Sequence, residues 1–201
     1  MKTLWSTLTQ VTPDQPAIAL LWGLSGIGKS ELVRQFCIKH KDDYDTIIWL
    51  NCSVLPSLMQ SFRKAAEKLL ACILHETPGC QEEETLRYLG LVRCDQVAST
   101  GQRFTDTSCI AAVKDFLSRK AKRSLLIMDN WDDPVKLNLR SYITDLLSNV
   151  HIIATSPTEI ATFGVPIHLV GLDEQAANEL LLHSTPYIGM LEQLQIISMT
   201  N

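Results

Sequence analysis

Apolar residues in this chain follow two alternating rhythms. Ala17–Trp22, Thr46–Asn51, Ser124–Asp129, Val150–Ala154 and Val165–Val170 are short apolar runs bounded by polar or turn residues, and they predict strands. Between them apolar positions recur at helical spacing. Leu32, Val33, Phe36 and Cys37 mark one helix. Leu58, Phe62, Ala65, Ala66, Leu69, Leu70, Ile73 and Leu74 mark a long one opened by Pro56. Ile110, Val113, Phe116 and Leu117 predict a third. Leu139, Tyr142, Ile143, Leu146 and Leu147 predict a fourth, near 136–148. Residues 75–107 are irregular, with loops around a short helix near 84–92, and the acidic run Gln81–Glu84 reads as a solvated face. Pro13, Asp14 and Pro16 mark a turn that closes a lead-in over 1–16. Asp173 reads as the N-cap of a helix with Ala176, Leu180 and Leu181 inward, and Ile188–Ile197 as a last amphipathic piece. Strands alternating with helices predict a three-layer α/β fold: a five-stranded, mostly parallel sheet with helices on both faces.

The stretch joining the first strand to the first helix is Gly23-Leu24-Ser25-Gly26-Ile27-Gly28-Lys29-Ser30. It fits G-x-x-x-x-G-K-[ST], the P-loop pattern, and it stands between a strand and a helix as that mechanism requires. Successive backbone N–H groups in such a loop turn inward on a phosphate, and the helix N-terminus adds positive potential. Lys29 is the residue to reach the β- and γ-phosphates, and the Ser30 hydroxyl the one to bind Mg²⁺. The competing reading is a glycine-rich turn with an exposed lysine.

Ligands of parallel sheets bind at the carboxyl ends of the strands. Leu125–Asp129 is an apolar strand ending in an acid, a Walker B-like pattern in which Asp129 would hold Mg²⁺. The next residue, Asn130, can hydrogen-bond a water but cannot accept its proton, so hydrolysis is predicted to be slow unless Asp132 or Asp133 substitutes. The preferred reading of those two acids is a turn or cap before Pro134. Thr155-Ser156 falls at the end of the fourth strand, so three separate stretches converge on one edge.

The 201 residues are 46% hydrophobic and 20% charged with a net charge of −4, a globular composition without a nucleic-acid or membrane footprint. Arg119-Lys120-Ala121-Lys122-Arg123 reads as a solvated helix end, with a phosphate or partner contact as the lesser reading. Six cysteines show no C-x-x-C spacing and read as reduced, small buried side chains. With no secretory h-region and no apolar run near membrane length, the expected location is cytoplasmic.

Taken in order, these stretches resemble the NB-ARC domain of STAND-class P-loop NTPases, the nucleotide switch of NLR-like signalling proteins. The P-loop is close to G-x-G-G-I-G-K-[ST]. Asp45–Cys52 is similar to the family strand with a central Trp, Leu125–Asp133 to its Walker B stretch, and His151–Ser156 to its sensor strand. Leu169–Leu180 resembles L-x-x-L-x-x-x-E-A-x-x-L. The resemblance implies binding of ADP or ATP with Mg²⁺ through Gly23, Ser25, Gly26, Ile27, Gly28, Lys29, Ser30 and Thr155. It gives Asp129 to the metal and Asp129 with Asn130 to any catalysis. It also implies contact with other protein chains, since the nucleotide-exchanged state oligomerises. Three departures stand out: Pro157 occupies the position of the family's γ-phosphate-reading Arg, the G-R-E-type segment is missing from 1–16, and the G-L-P-L and M-H-D motifs are absent. The expected organisation is a lead-in over 1–16, a nucleotide-binding domain over 17–170 and the start of a helical subdomain over 171–201, an isolated or truncated module. The rival functions are an interaction module that has lost its nucleotide and an active ATPase or small-molecule kinase.

Overall fold

The computed structural model describes residues 1–10, 15–77, 79–94, 102–119, 123–160, 162–171 and 196–197. Five strands run parallel: β1 (Ala17–Trp22), β2 (Thr46–Asn51), β3 (Ser124–Asp129), β4 (Val150–Ser156) and β5 (Val165–His168). A two-residue strand, β6 (Ile196–Ile197), adds antiparallel to β2, and the order across the sheet is β5-β1-β4-β3-β2-β6. The α/β class and the P-loop placed between β1 and a helix make this a P-loop NTPase fold.

Alternation along each strand sorts side chains to two cores. Ala19, Leu21, Ile47, Leu125, Ile127 and Ile153 face one side, where α1 (Lys2–Thr9) and α2 (Lys29–Lys39) supply Leu4, Leu8, Val33, Phe36 and Cys37. Leu20, Ile48, Leu50, Leu126, Met128, Ile152 and Ala154 face the other. There α3 (Leu55–Glu76), α4 (Glu82–Leu89) and α5 (Asp106–Arg119) supply Leu58, Phe62, Leu69, Leu86, Val113 and Leu117. Burial on both faces explains why β1 to β4 read as continuous apolar runs. The fold therefore matches the predicted three layers. An Arg63–Asp106 pair, at 2.5 Å from Nε and 2.9 Å from Nη2, ties α3 to the start of α5.

Several elements differ from their sequence expectation. The lead-in contains α1, whose Leu4 and Leu8 are both 1% exposed, so this segment belongs to the core. The helix expected near 136–148 is a single turn, α6 (Arg140–Ile143). Side-chain oxygens compete with the helix ladder there: Asn138 Oδ1 accepts from the Arg140 N–H, and Thr144 Oγ1 donates to the Arg140 and Ser141 carbonyls. Asp145 then takes φ 70°, which ends helical continuation, and Leu147 is exposed. Glu82 and Glu83, expected as a solvated face, pair with Arg93, and Glu82 also with Arg103. Arg119 pairs with Asp115, while Lys120–Lys122 lie outside the described residues, as do Pro13, Asp14 and the helix expected from Asp173. Only the end of the expected Ile188–Ile197 piece is described, and it is β6. All six cysteines are free, and burial pushes the Cys37 thiol up to about 12. Among the described residues no helix is long and apolar enough to cross a membrane.

At the edge opposite the P-loop, His151 shares a 2.9 Å hydrogen bond with Tyr44 inside the core. Burial, and secondarily the Arg123 guanidinium, push His151 down to about 4, whereas an unfolded histidine titrates near 6.5. Between those values the unfolded chain takes up a proton that the folded chain refuses. This contribution is therefore fully present above about pH 6.5 and is lost progressively as the pH falls toward 4. The folded chain should lose on the order of 2 kcal/mol from this group between neutral pH and pH 4.5. Urea midpoints measured against pH check it: His151→Gln should flatten the acid limb, and an unchanged limb contradicts the assignment.

Candidate functional site

The order of the strands assembles the site. β4 lies between β1 and β3, so the Thr155-Ser156 end of β4 separates the P-loop from Asp129. The loop leaves β1 with the Gly23 N–H donating to the Ser156 carbonyl at 3.2 Å. A Cβ at Gly23 would stand 2.5 Å from the Leu169 carbonyl oxygen, so no larger residue fits where the chain passes β5. Gly28 caps α2 with φ 98°, a left-handed turn that aims the first N–H groups of the helix into the loop.

The side chains follow from that backbone. Lys29 curls back, its ammonium donating to the Gly23 carbonyl at 2.8 Å and the Leu24 carbonyl at 3.0 Å. Ser30, one residue into α2, reaches across β4's end, and its Oγ donates to Asp129 Oδ1 at 2.8 Å although the two are 99 apart in sequence. Thr155 Oγ1 donates to the same oxygen at 2.5 Å and accepts the Asn130 N–H at 2.9 Å. Asp129 is 5% exposed and Thr155 fully buried. The peptide after Asp129 turns sharply: Asn130 has φ 62°, a conformation its short polar side chain tolerates. Trp131 then anchors the loop. Its N–H donates to the Thr155 carbonyl at 2.9 Å, its Nε1–H to the Leu137 carbonyl at 2.8 Å, and its ring packs against Phe163.

These pieces enclose a cleft of about 340 Å³, which falls in the range of small-molecule sites. Of the residues expected from sequence, Ser25, Gly26, Gly28, Lys29, Ser30, Asn130 and Thr155 line it. Gly23 forms its root, Asp129 stands behind Ser30 and Thr155, and Ile27 turns back on the loop, its N–H donating to the Leu24 carbonyl at 3.3 Å. Glu31, Asp132 and Ser156 complete the wall. Glu31 pairs with Arg34 and accepts from Gln35 Nε2 at 2.9 Å. The helical position after Ser30 was the available signal for Glu31. The two acids expected as turn residues part company: Asp133 is one, accepting the Val135 and Lys136 N–H groups and pairing with Lys136, but Asp132 faces the cleft.

Lys29 is the one cation among the described residues lining the cleft. An anion there would meet backbone N–H groups, the α2 N-terminus and one ammonium. The hydroxyl of Ser30 and the carboxylate of Asp129 are hard oxygen donors of the kind Mg²⁺ takes, so this pair fits that ion. Among the described residues there is no group of three or more His, Cys, Asp or Glu that could hold a metal ion.

No protein-family model and no curated protein matches the sequence. Among solved structures the chain is similar to the crystal structure of Cdc6p from Pyrobaculum aerophilum, at 12% identity and a TM-score of 0.49 over 89% of this chain. The chain spans 45% of that structure's length.

Thr155 holds both Asp129 and the Asn130 peptide, so Thr155→Val should cost about 2 kcal/mol, through a lost hydrogen bond to a carboxylate and an orphaned N–H. Thr155→Ser should keep most of that stability. Urea unfolding checks both, and equal stability of the Val and Ser variants contradicts the clasp.

Proposed function

We propose that the chain is a purine-nucleotide-binding module of the NB-ARC type, which takes ADP or ATP with Mg²⁺ and hydrolyses ATP at most slowly. The observation that carries the proposal is the 2.8 Å contact between Ser30 and Asp129, which unites a P-loop helix with an acid at a strand end. Residues 17–170 are the nucleotide-binding domain in this reading, preceded by the lead-in 1–16 and followed by the start of a helical subdomain over 171–201.

The roles follow from the geometry and the resemblance. Backbone N–H groups of the cleft-lining Ser25, Gly26, Gly28 and Lys29 would surround the β-phosphate, while the Gly23 and Ile27 N–H groups, held by the Ser156 and Leu24 carbonyls, shape the loop. Lys29 exchanges a loop carbonyl for a phosphate oxygen. Ser30 and Asp129 would hold Mg²⁺, whose charge would offset that of the phosphates. Thr155 fixes the Asp129 carboxylate rather than reaching the nucleotide itself. Asn130 can orient a water, and as an amide it leaves the proton where it is. A single cation makes binding depend strongly on the metal. ADP holding one state and ATP another, with protein partners in the exchanged state, is the switch that the NB-ARC resemblance implies.

A second reading, a protein-interaction module without nucleotide, is favoured by Pro157 at the arginine position and by the single cation. Ligand-induced stabilisation separates the two. A ligand at a hundred times its dissociation constant should add about 2.7 kcal/mol to stability. Thermal melts with ADP and Mg²⁺ should rise for the native chain and not for Lys29→Ala, whose melt without ligand stays close to native. An equal rise in both contradicts the assigned site, and no rise in either favours the interaction module.

A further inference from the structure

Asn130 leaves the expected site without a base, yet the cleft contains one carboxylate that the fold leaves free. We propose that Asp132 accepts the proton of the attacking water. This rests on the nucleotide-binding reading above and adds to it the residue that sets ATP turnover.

The acids near the cleft are distinguished by their partners. Asp129 is buried and accepts the hydroxyls of Ser30 and Thr155. Glu31 is engaged by Arg34 and Gln35 on the surface of α2. Asp133 turns away to cap Val135 and Lys136. Asp132 lines the cleft, is exposed to solvent and has no side-chain hydrogen bond or ion pair among the described residues.

Its position is imposed by its neighbours. On one side the Asn130 and Trp131 N–H groups are tied to Thr155 Oγ1 and the Thr155 carbonyl, and the Trp131 ring is 3% exposed against Phe163. On the other side Asp133 closes the turn with Val135 and Lys136. A residue pinned on both sides keeps its place at the cleft at little further entropic cost. It lines the cleft together with Asn130, Thr155 and Ser156. A water held by the Asn130 amide would have this carboxylate as its proton acceptor.

The step balances. As the water oxygen bonds to the γ-phosphorus, Asp132 takes one water proton. The bond from the γ-phosphorus to the bridging oxygen breaks, its electron pair leaves with ADP, and the proton passes from Asp132 to the released phosphate.

Single-turnover hydrolysis of ATP with Mg²⁺, with protein in excess, tests this beside ADP titration of the same samples. Asp132→Asn should lower the rate on the order of 10²-fold while ADP affinity stays within about twofold, and Asp132→Glu should recover part of the loss. An unchanged rate in Asp132→Asn, or native chain that binds ADP without turning ATP over, overturns the role of Asp132 and leaves the binding reading intact. Native chain that binds no nucleotide overturns both.

Discussion

One carboxylate oxygen joins the P-loop helix to the ends of two neighbouring strands. Asp129 Oδ1 accepts the hydroxyls of Ser30 and Thr155, and Thr155 in turn accepts the peptide N–H that follows Asp129. Three elements distant in sequence, the P-loop helix, β3 and β4, thereby share one buried polar cluster. A buried carboxylate without such partners would be strongly destabilising. The hydroxyls that satisfy it are the groups that set the distance between loop and acid. In the proposed reading Ser30 and Asp129 would share this place with a hard cation.

The rest of the sheet keeps that cluster in register. Apolar side chains cover both faces, so a slip of one residue in β3 or β4 would send core side chains to the wrong layer as well as displace Asp129 or Thr155. The pairing of Met128 with Ala154 and of Trp22 with Ser156 fixes where the three strand ends stop. Trp131 extends this control beyond the strand. It carries the backbone from Asn130 into a second anchored turn, so the loop over the cleft is held by packing as well as by hydrogen bonds. The cleft is thus an edge of the core, and its polar groups inherit the core's rigidity.

Legibility in the sequence tracked how local each signal was. Strands β1 to β4 are plain because both their faces are largely buried, and the P-loop because Gly, Lys and Ser must stand at fixed offsets along one turn. The α1 helix was not, since Leu4 and Leu8 are too few apolar positions to show a period. The 136–148 region was overread: Leu139, Ile143 and Leu146 have helical spacing, but Asn138, Thr144 and Asp145 redirect the backbone. In the site, the partnership of Thr155 with Asp129 spans 26 positions and leaves no pattern along the chain. Asp132 and Asp133 are adjacent and alike in sequence, and only the turn that engages Asp133 distinguishes them.

In the proposed reading the nucleotide grip is one loop, one lysine and one hydroxyl–carboxylate pair. Any switching would follow from occupancy by Mg²⁺-nucleotide, because a ligand shifts states only through its differing affinity for them. Isothermal titration of the folded chain with ADP in excess Mg²⁺ tests this most directly. The account predicts saturable binding at one site per chain that is weakened sharply when Mg²⁺ is chelated. No heat at high micromolar ligand, from a sample shown to be folded, would contradict it.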